Sequence, residues 1–164
     1  MSDDPARTFR DVMGAFATGI TLVTAARHGV YTGMTVNSFT SVSLNPMLVL
    51  VCVDLTAETH PIIADSKAFA INILSAEQES ISRTFATKDP GKDAAIRALP
   101  IREGKTGTPI LTEALAFIEA RVVQEIHAGD HTVFIGQVVD SGMTGDEPIL
   151  FYRGKYRSLA EVPS

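Results

Sequence analysis

Tryptophan is absent, cysteine occurs once, and no apolar run approaches the length of a membrane span. The lone Cys52 cannot close an intrachain disulfide, so stability has to come from a packed core. Inside LVLVCVD it reads as a small buried apolar side chain. The apolar stretches fall far short of the ~18 residues that suggest a spanning helix, and the opening MSDDPARTFRDV has early acids instead of the basic-then-apolar pattern of an export signal. These absences give the expectation of a cytoplasmic protein with no membrane partner. Positive charge is also short. With 14 Lys and Arg against 19 Asp and Glu, the net charge is -5, so no basic field exists to hold nucleic acid, and any phosphate site must be local.

The usual chemical signatures are missing as well. Neither a G-x-x-x-x-G-K-[ST] loop nor a strand-linked G-x-G-x-x-G occurs, which removes the P-loop and the Rossmann dinucleotide site. Ser38, Ser41 and Ser43 lie in no nucleophile elbow. Of the four histidines, His127 and His131 are four apart, but they flank a turn and no Cys or carboxylate stands at zinc-ligand spacing.

What is present is enough for one core. A chain of 164 residues that is 45% hydrophobic is expected to form a single domain over residues 1–164. Asp4-Pro5 starts an N-terminal helix whose Phe9, Val12, Met13 and Phe16 recur at helical spacing, with Gly19 placed to end it. ITLVTAA and VYTGMTV flank Arg27, His28 and Gly29 as a hairpin, and MLVLVCV follows as a fully buried strand. KAFAINIL alternates as a strand, and Ser75 with Gln78 three residues on forms a capping-box pattern for a helix through about Ala86. The Pro-, Gly-, Lys- and Asp-rich span from Thr87 to Pro109 reads as a long excursion with one helical turn at Asp93 to Leu99. FIEARVVQEI and TVFIGQVV make a second hairpin about Gly129-Asp130, and PILFYRGKYRSL supplies a last short strand. Strands joined by hairpins and short helices, without regular β-α alternation, point to an antiparallel barrel with peripheral helices. Its filled interior leaves a large ligand at the rim or at a subunit contact.

One stretch asks for a ligand. In GMTVNSFTSVSLNP, the short polar side chains of Thr35, Asn37, Ser38, Thr40, Ser41 and Ser43 are crowded ahead of a buried strand and rimmed by Met34, Val36, Phe39 and Val42. An ordinary polar loop accounts for such a run; so does a flat amphipathic ligand bonded along its polar edge.

FRDVMGAFATGITLVTA, GMTVNSFTSVSLNP, LVLVCVD, INIL, FA and AGDHTVFIGQV stand together in one order and spacing. In this the chain resembles the short-chain flavin reductases, the reductase components of two-component flavin-dependent monooxygenases, over roughly Phe9 to Leu159. The resemblance implies a mainly β fold with peripheral helices, a six-stranded antiparallel Greek-key split β-barrel. It also implies a homodimer, FMN or FAD as cofactor, NADH or NADPH as reductant, and a monooxygenase that takes up the reduced flavin. Carried across residue by residue, it puts Thr35, Val36, Asn37, Ser38 and Ser41 along the isoalloxazine and ribityl chain, with Cys52, Val53 and Asp54 beside the ring. Thr59 falls at the phosphate end, Arg83 and Phe85 at the flavin tail, His131 near the nicotinamide, and Tyr152 and Tyr156 where the nucleotide is seated. Two stretches depart from the family pattern, Asn45-Pro46-Met47 and Phe117-Ile118-Glu119-Ala120, and neither removes an expected flavin contact.

The implied chemistry explains the missing acid-base pair. Hydride passes from nicotinamide C4 to flavin N5, so the protein has to stack two rings and hold their approach. Backbone N–H groups and Ser/Thr hydroxyls are expected to steady negative charge at the N1–C2=O edge. Arg83, then Lys88, is the expected phosphate cation. The alternative readings are a flavin-binding or electron-carrier protein without turnover, and a cofactor-free interaction module.

Overall fold

The computed structural model describes residues 4–88, 90–145 and 147–160. In chain order the elements are α1 (Pro5–Gly14), β1 (Thr18–Gly19), β2 (Thr21–Arg27), β3 (Val30–Val36), β4 (Phe39–Leu44), β5 (Met47–Asp54), α2 (Thr59–Ser66), β6 (Ala68–Ile73), α3 (Glu79–Phe85), α4 (Lys92–Arg97), β7 (Ile101–Glu103), β8 (Pro109–Leu111), β9 (Ala116–Ala128), β10 (His131–Met143), β11 (Leu150–Tyr152) and β12 (Lys155–Arg157). No described helix is long and apolar enough to cross a membrane.

The main sheet has seven antiparallel strands in the order β3-β2-β6-β9-β10-β5-β4. Six closed strands were expected; among the described residues no ladder joins β3 to β4. Those two strands are nevertheless held together by the chain. In a flat sheet at about 4.8 Å per strand they would lie roughly 29 Å apart, yet Asn37 and Ser38 alone connect them and reach at most about 11 Å. The sheet must therefore roll until the end of β3 and the start of β4 lie within that reach. At the seam the Cys52 N–H donates to the Ser38 carbonyl at 3.1 Å.

Rolling creates two cores. Val49, Val51 and Val53 alternate inward from β5 and pack with Val23, Ala25, Phe69, Ile71 and Phe134, the period-2 burial of a strand. The outer face of β2 presents Leu22, which joins Ile20, Leu74, Phe85, Ile96, Leu111 and Ile149 beneath α3 and α4. Thr21 through Ala25 are thus buried on both faces. Asn72, fully buried on β6, satisfies the layer between by donating to the Leu22 carbonyl (3.0 Å) and accepting from the Leu111 N–H (2.9 Å).

The hairpin turns follow their residues. His28 and Gly29 adopt φ of 51° and 77°, as a two-residue primed turn demands, and Gly129 does the same at 63° between β9 and β10. Asp4 caps α1 by accepting from the Ala6 N–H at 3.0 Å, but α1 ends at Gly14, short of the expected Gly19, where the backbone has already joined β1. Only half of the expected box forms before α3: the Gln78 side chain accepts from the Ser75 N–H at 2.9 Å. Ser75 itself bridges Pro148, so the helix starts later, at Glu79. The excursion holds α4 as expected, and also the small β7–β8 hairpin, which was not anticipated. The last strand proves to be a hairpin, β11–β12, turning at Arg153 and Gly154.

The β7–β8 hairpin is fastened from below. Glu119, fully buried on β9, accepts from the N–H groups of Lys105 (2.9 Å) and Thr106 (2.7 Å) and from the Thr106 hydroxyl (2.5 Å). Gly104 leaves the space its carboxylate occupies, since a Cβ there would collide with it. Glu119→Ala would orphan two N–H donors, at about 1–3 kcal/mol each. We expect a lowered denaturant midpoint for Glu119→Ala and a smaller loss for Glu119→Gln, which keeps one acceptor; equal midpoints for wild type and Glu119→Ala would reject the fastening role.

Candidate active site

A cleft of about 390 Å³ opens along β3 at the edge of the rolled sheet. Its floor is the β3 segment Gly33, Met34 and Thr35. One wall is the turn from β5 into α2, with Asp54, Thr56, Glu58 and Thr59; the other is the end of α3 and its exit, with Phe85, Thr87 and Lys88, and Lys92 from α4. The walls differ in charge. Carboxylates stand on the β5–α2 side and ammonium groups on the α3–α4 side, with the apolar Met34 and Phe85 between them. A ligand suited to this cleft has a flat apolar body, polar donors at one end and an anion at the other.

Asp54 organises the first wall. Its carboxylate accepts from both the N–H and the hydroxyl of Thr56, each at 2.7 Å. Chiefly the backbone bond, then the hydroxyl, with His131 and Lys88 adding, holds its pKa below the usual carboxylate value. His131 faces Asp54 across the β5–β10 ladder, and its Nδ1 lies 2.7 Å from the Asp130 carboxylate. The Leu55 N–H donates to the Asp130 carbonyl at 3.0 Å. The β9–β10 turn is thereby tied to the acid wall.

Thr35, Asp54, Thr59 and Phe85 are brought together in this cleft. Asn37 and Ser38 instead face a larger groove of about 860 Å³ beneath α1, with Phe16, Phe151 and Arg153. The β3–β4 link thus divides two concavities. Val36 and Val53 belong to the inner core, so they offer a ligand backbone and not side chain. Ser41 lies exposed on β4, beside a bulge. Cys52 is half-buried, and burial pushes its thiol pKa up. Thr59 is buried against Thr32, their hydroxyls 3.2 Å apart. On the far side of α3, Arg83 pairs with Glu79 at 2.6 Å and covers the Tyr156 ring at 4.6 Å. Tyr152 lies under the Arg153 guanidinium at 5.4 Å.

Two hydroxyls change their expected chemistry. Thr35 donates its proton to the Ser82 carbonyl at 2.6 Å, and Ser38 donates to the Cys52 carbonyl at 2.9 Å. Each therefore turns lone pairs, not a proton, toward a ligand. The positively charged side chains lining the cleft are those of Lys88 and Lys92. The sequence reading missed Thr56 and Lys92. Asp-x-Thr in DLTAE is a local Asx-type signal that marks Thr56, whereas nothing in KDAAIR marks a buried lysine.

The family model described as "Flavin reductase like domain" matches residues 13–160. The chain belongs to that family. It is 39% identical over 148 residues to the reductase component of a 4-nitrophenol 4-monooxygenase/4-nitrocatechol 2-monooxygenase of Rhodococcus opacus, covering 90% of this chain and 78% of that protein. Among solved structures it is similar to the flavin reductase PheA2 in its native state, with a TM-score of 0.87 and 44% identity over 98% of this chain and 100% of the other. It is also similar to the Streptomyces globisporus NADH:FAD oxidoreductase SgcE6 in complex with NAD and FAD fragments, with a TM-score of 0.88 and 36% identity over 98% and 96% of the two chains.

The Asp54 geometry yields a pH prediction. A carboxylate whose folded pKa is depressed keeps its stabilising contribution above its unfolded value and loses it as pH falls through the folded one. The Thr56 amide should therefore stay protected from exchange down to about pH 4 and lose protection only below. An amide whose NMR titration has its midpoint near neutral pH would show that Asp54 does not hold the turn.

Proposed function

We propose that this protein is an NAD(P)H:flavin oxidoreductase that takes hydride from NADH, or NADPH, reduces FMN or FAD, and releases reduced flavin to a partner monooxygenase. The observation that carries the reading is the polarised cleft on β3, lying within the family match over residues 13–160. The donor set suits a flavin: apolar contact from Met34 and Phe85, acceptors at Thr35 and Asp54 for the ring N–H and ribityl hydroxyls, and ammonium groups for a phosphate. When bound together, the two cofactors supply the hydride chemistry themselves. The chain's residues orient and exclude water. Thr35, pinned to α3, fixes the floor; Phe85 at 3% exposure gives a rigid apolar wall; His131 stands at the rim where a second, nucleotide ligand would enter.

On this reading the chain acts as a single domain, and the rolled sheet is the Greek-key split barrel with one strand more than expected. The protein works as a homodimer, supported by α1. No described α1 residue is buried, and Phe9, Val12 and Met13 are 65%, 64% and 51% exposed. An amphipathic helix that leaves its apolar face in water within the protomer is suited to a second copy. The supply of NAD(P)H fits a cytoplasmic setting.

Purified protein should oxidise NADH at a rate that rises with added FMN or FAD, followed at the nicotinamide absorbance. Oxidation indifferent to flavin would sink the reading. With flavin saturating, His131→Ala should lower kcat/KM for the nicotinamide roughly 5- to 150-fold, the loss of one or two hydrogen bonds or a charged contact, and leave flavin affinity nearly unchanged. A wild-type stopped-flow rate in that variant would remove His131 from hydride delivery.

A further inference from the structure

β3 is paired with β2 along one side, and no strand among the described residues pairs with its other side. In an antiparallel ladder, opposite residues alternately exchange their backbone bonds and turn them away. The two-residue turn at His28-Gly29 makes Arg27 and Val30 an exchanging pair, so Thr32, Met34 and Val36 also bond to β2. Tyr31, Gly33 and Thr35 therefore direct both N–H and C=O away from the sheet. Bonds on either side of the hairpin agree with this register. The Tyr31 N–H donates outward to the Asp93 carboxylate at 2.6 Å. The Ile20 and Leu22 carbonyls point the other way, toward β6, where they accept from the Leu74 N–H and the Asn72 side chain, each at 3.0 Å. Leu22 and Thr24 stand opposite Thr35 and Gly33.

Of the three outward residues, Asp93 serves the first. Gly33 and Thr35 line the cleft, and among the described residues nothing bonds to their N–H or C=O groups. Gly33 is buried, where unpaired backbone groups are rare and costly. Along the cleft floor the edge thus presents a donor, an acceptor and a donor: Gly33 N–H, Gly33 C=O and Thr35 N–H. The floor's side chains add no proton, since Met34 has none to give and the Thr35 hydroxyl donates to the Ser82 carbonyl.

We propose that this stretch of strand edge reads the imide of the flavin ring. The C2=O, N3–H and C4=O groups run acceptor, donor, acceptor, the complement of that row, and meet it as an added strand would. The proposal rests on the flavin reading above and deepens it: the cleft selects a planar heterocycle with an unsubstituted O=C–NH–C=O edge, and does so through backbone groups.

An N3-methyl flavin differs from its parent by the imide proton and the methyl that replaces it. The test titrates FMN, or FAD where that binds better, and its N3-methyl derivative against full-length protein by flavin fluorescence. The methylated flavin should bind about tenfold or more weakly, because one hydrogen bond is lost and an edge carbonyl stays unpaired. Equal affinities overturn the proposal and leave the flavin reading standing, whereas a protein that binds neither FMN nor FAD defeats both. In Asp54→Ala the ratio between the two flavins should persist; a ratio that falls to one assigns the imide proton to Asp54 and overturns the proposal. A wall that merely touches N3 would also exclude the methyl, so amide exchange in the wild type is the second readout, and it decides alone if Asp54→Ala does not fold. With flavin bound, the Gly33 and Thr35 amides should exchange about tenfold or more slowly, while the Tyr31 amide, already bonded to Asp93, stays within about twofold. Equal slowing at all three, or none at Gly33 and Thr35, rejects the assignment.

Discussion

The hydrogen bond from the Thr35 hydroxyl to the Ser82 carbonyl, at 2.6 Å, joins the strand that floors the cleft to the helix that walls it. Ser82 is fully buried, and its hydroxyl is bonded in turn to the Tyr156 phenol at 2.9 Å. One residue therefore sets the spacing of three elements: the sheet edge β3, the short helix α3 and the closing strand β12. β3 is the end of a seven-strand sheet, and an uncovered edge is a template for unwanted pairing. α3 and α4 cover it, and α4 adds its own tie where the Asp93 carboxylate accepts from the Tyr31 N–H at 2.6 Å. The cleft is what remains between that cover and the β5–α2 turn.

This arrangement explains why the candidate residues divide as they do. Rolling the sheet places Val36 and Val53 inside, and the two-residue seam sends Thr35 to one concavity and Asn37 and Ser38 to the other. A strand at a seam cannot show all its polar side chains to one ligand. Residues adjacent in a strand alternate faces, and Thr35 and Val36 obey that rule, whereas Asn37 and Ser38 lie beyond the end of β3 and both face the groove beneath α1. Arg83 is turned away for a similar reason: α3 buries Ser82 and Phe85 against the second core, so Arg83, between them, lies on the outer face with Glu79 and Tyr156.

Much of this was legible in the sequence where the signal was local. His28-Gly29 and Gly129-Asp130 mark their hairpins because Gly29 and Gly129 take positive φ without the strain a side chain would bring. MLVLVCV, expected to be fully buried, is apolar at every position and names no inward face, and the structure buries only Val49, Val51 and Val53 of it. What escaped was set by partners distant in the chain. Ser75 looks like a helix cap, but its pairing with Pro148 delays α3, and Pro148 lies more than seventy residues on. Glu119 on a strand and Lys92 on a short helix both carry charges that composition assigns to solvent, and both are buried because loops wrap them with carbonyls or N–H groups. The family likeness supplied candidate residues with no geometry attached, so it could not tell which of Thr35, Ser38 and Arg83 had hydrogens or charge left to offer.

Gly33 separates the cleft from the second core by the thickness of a single backbone. A Cβ at that position would stand 2.9 Å from Ile96 Cδ1 and 3.3 Å from Leu22 Cδ1, with Phe85 Cδ1 at 3.5 Å. The atoms that support the floor are thus the same atoms that hold α3 and α4 to the sheet, and close-packed interiors transmit small displacements. Ile96 touches no ligand, yet its volume helps decide how high the floor stands. Adaptation to a different flavin or to a different temperature would draw on the same few side chains, so in this chain selection for one trait cannot be independent of the other.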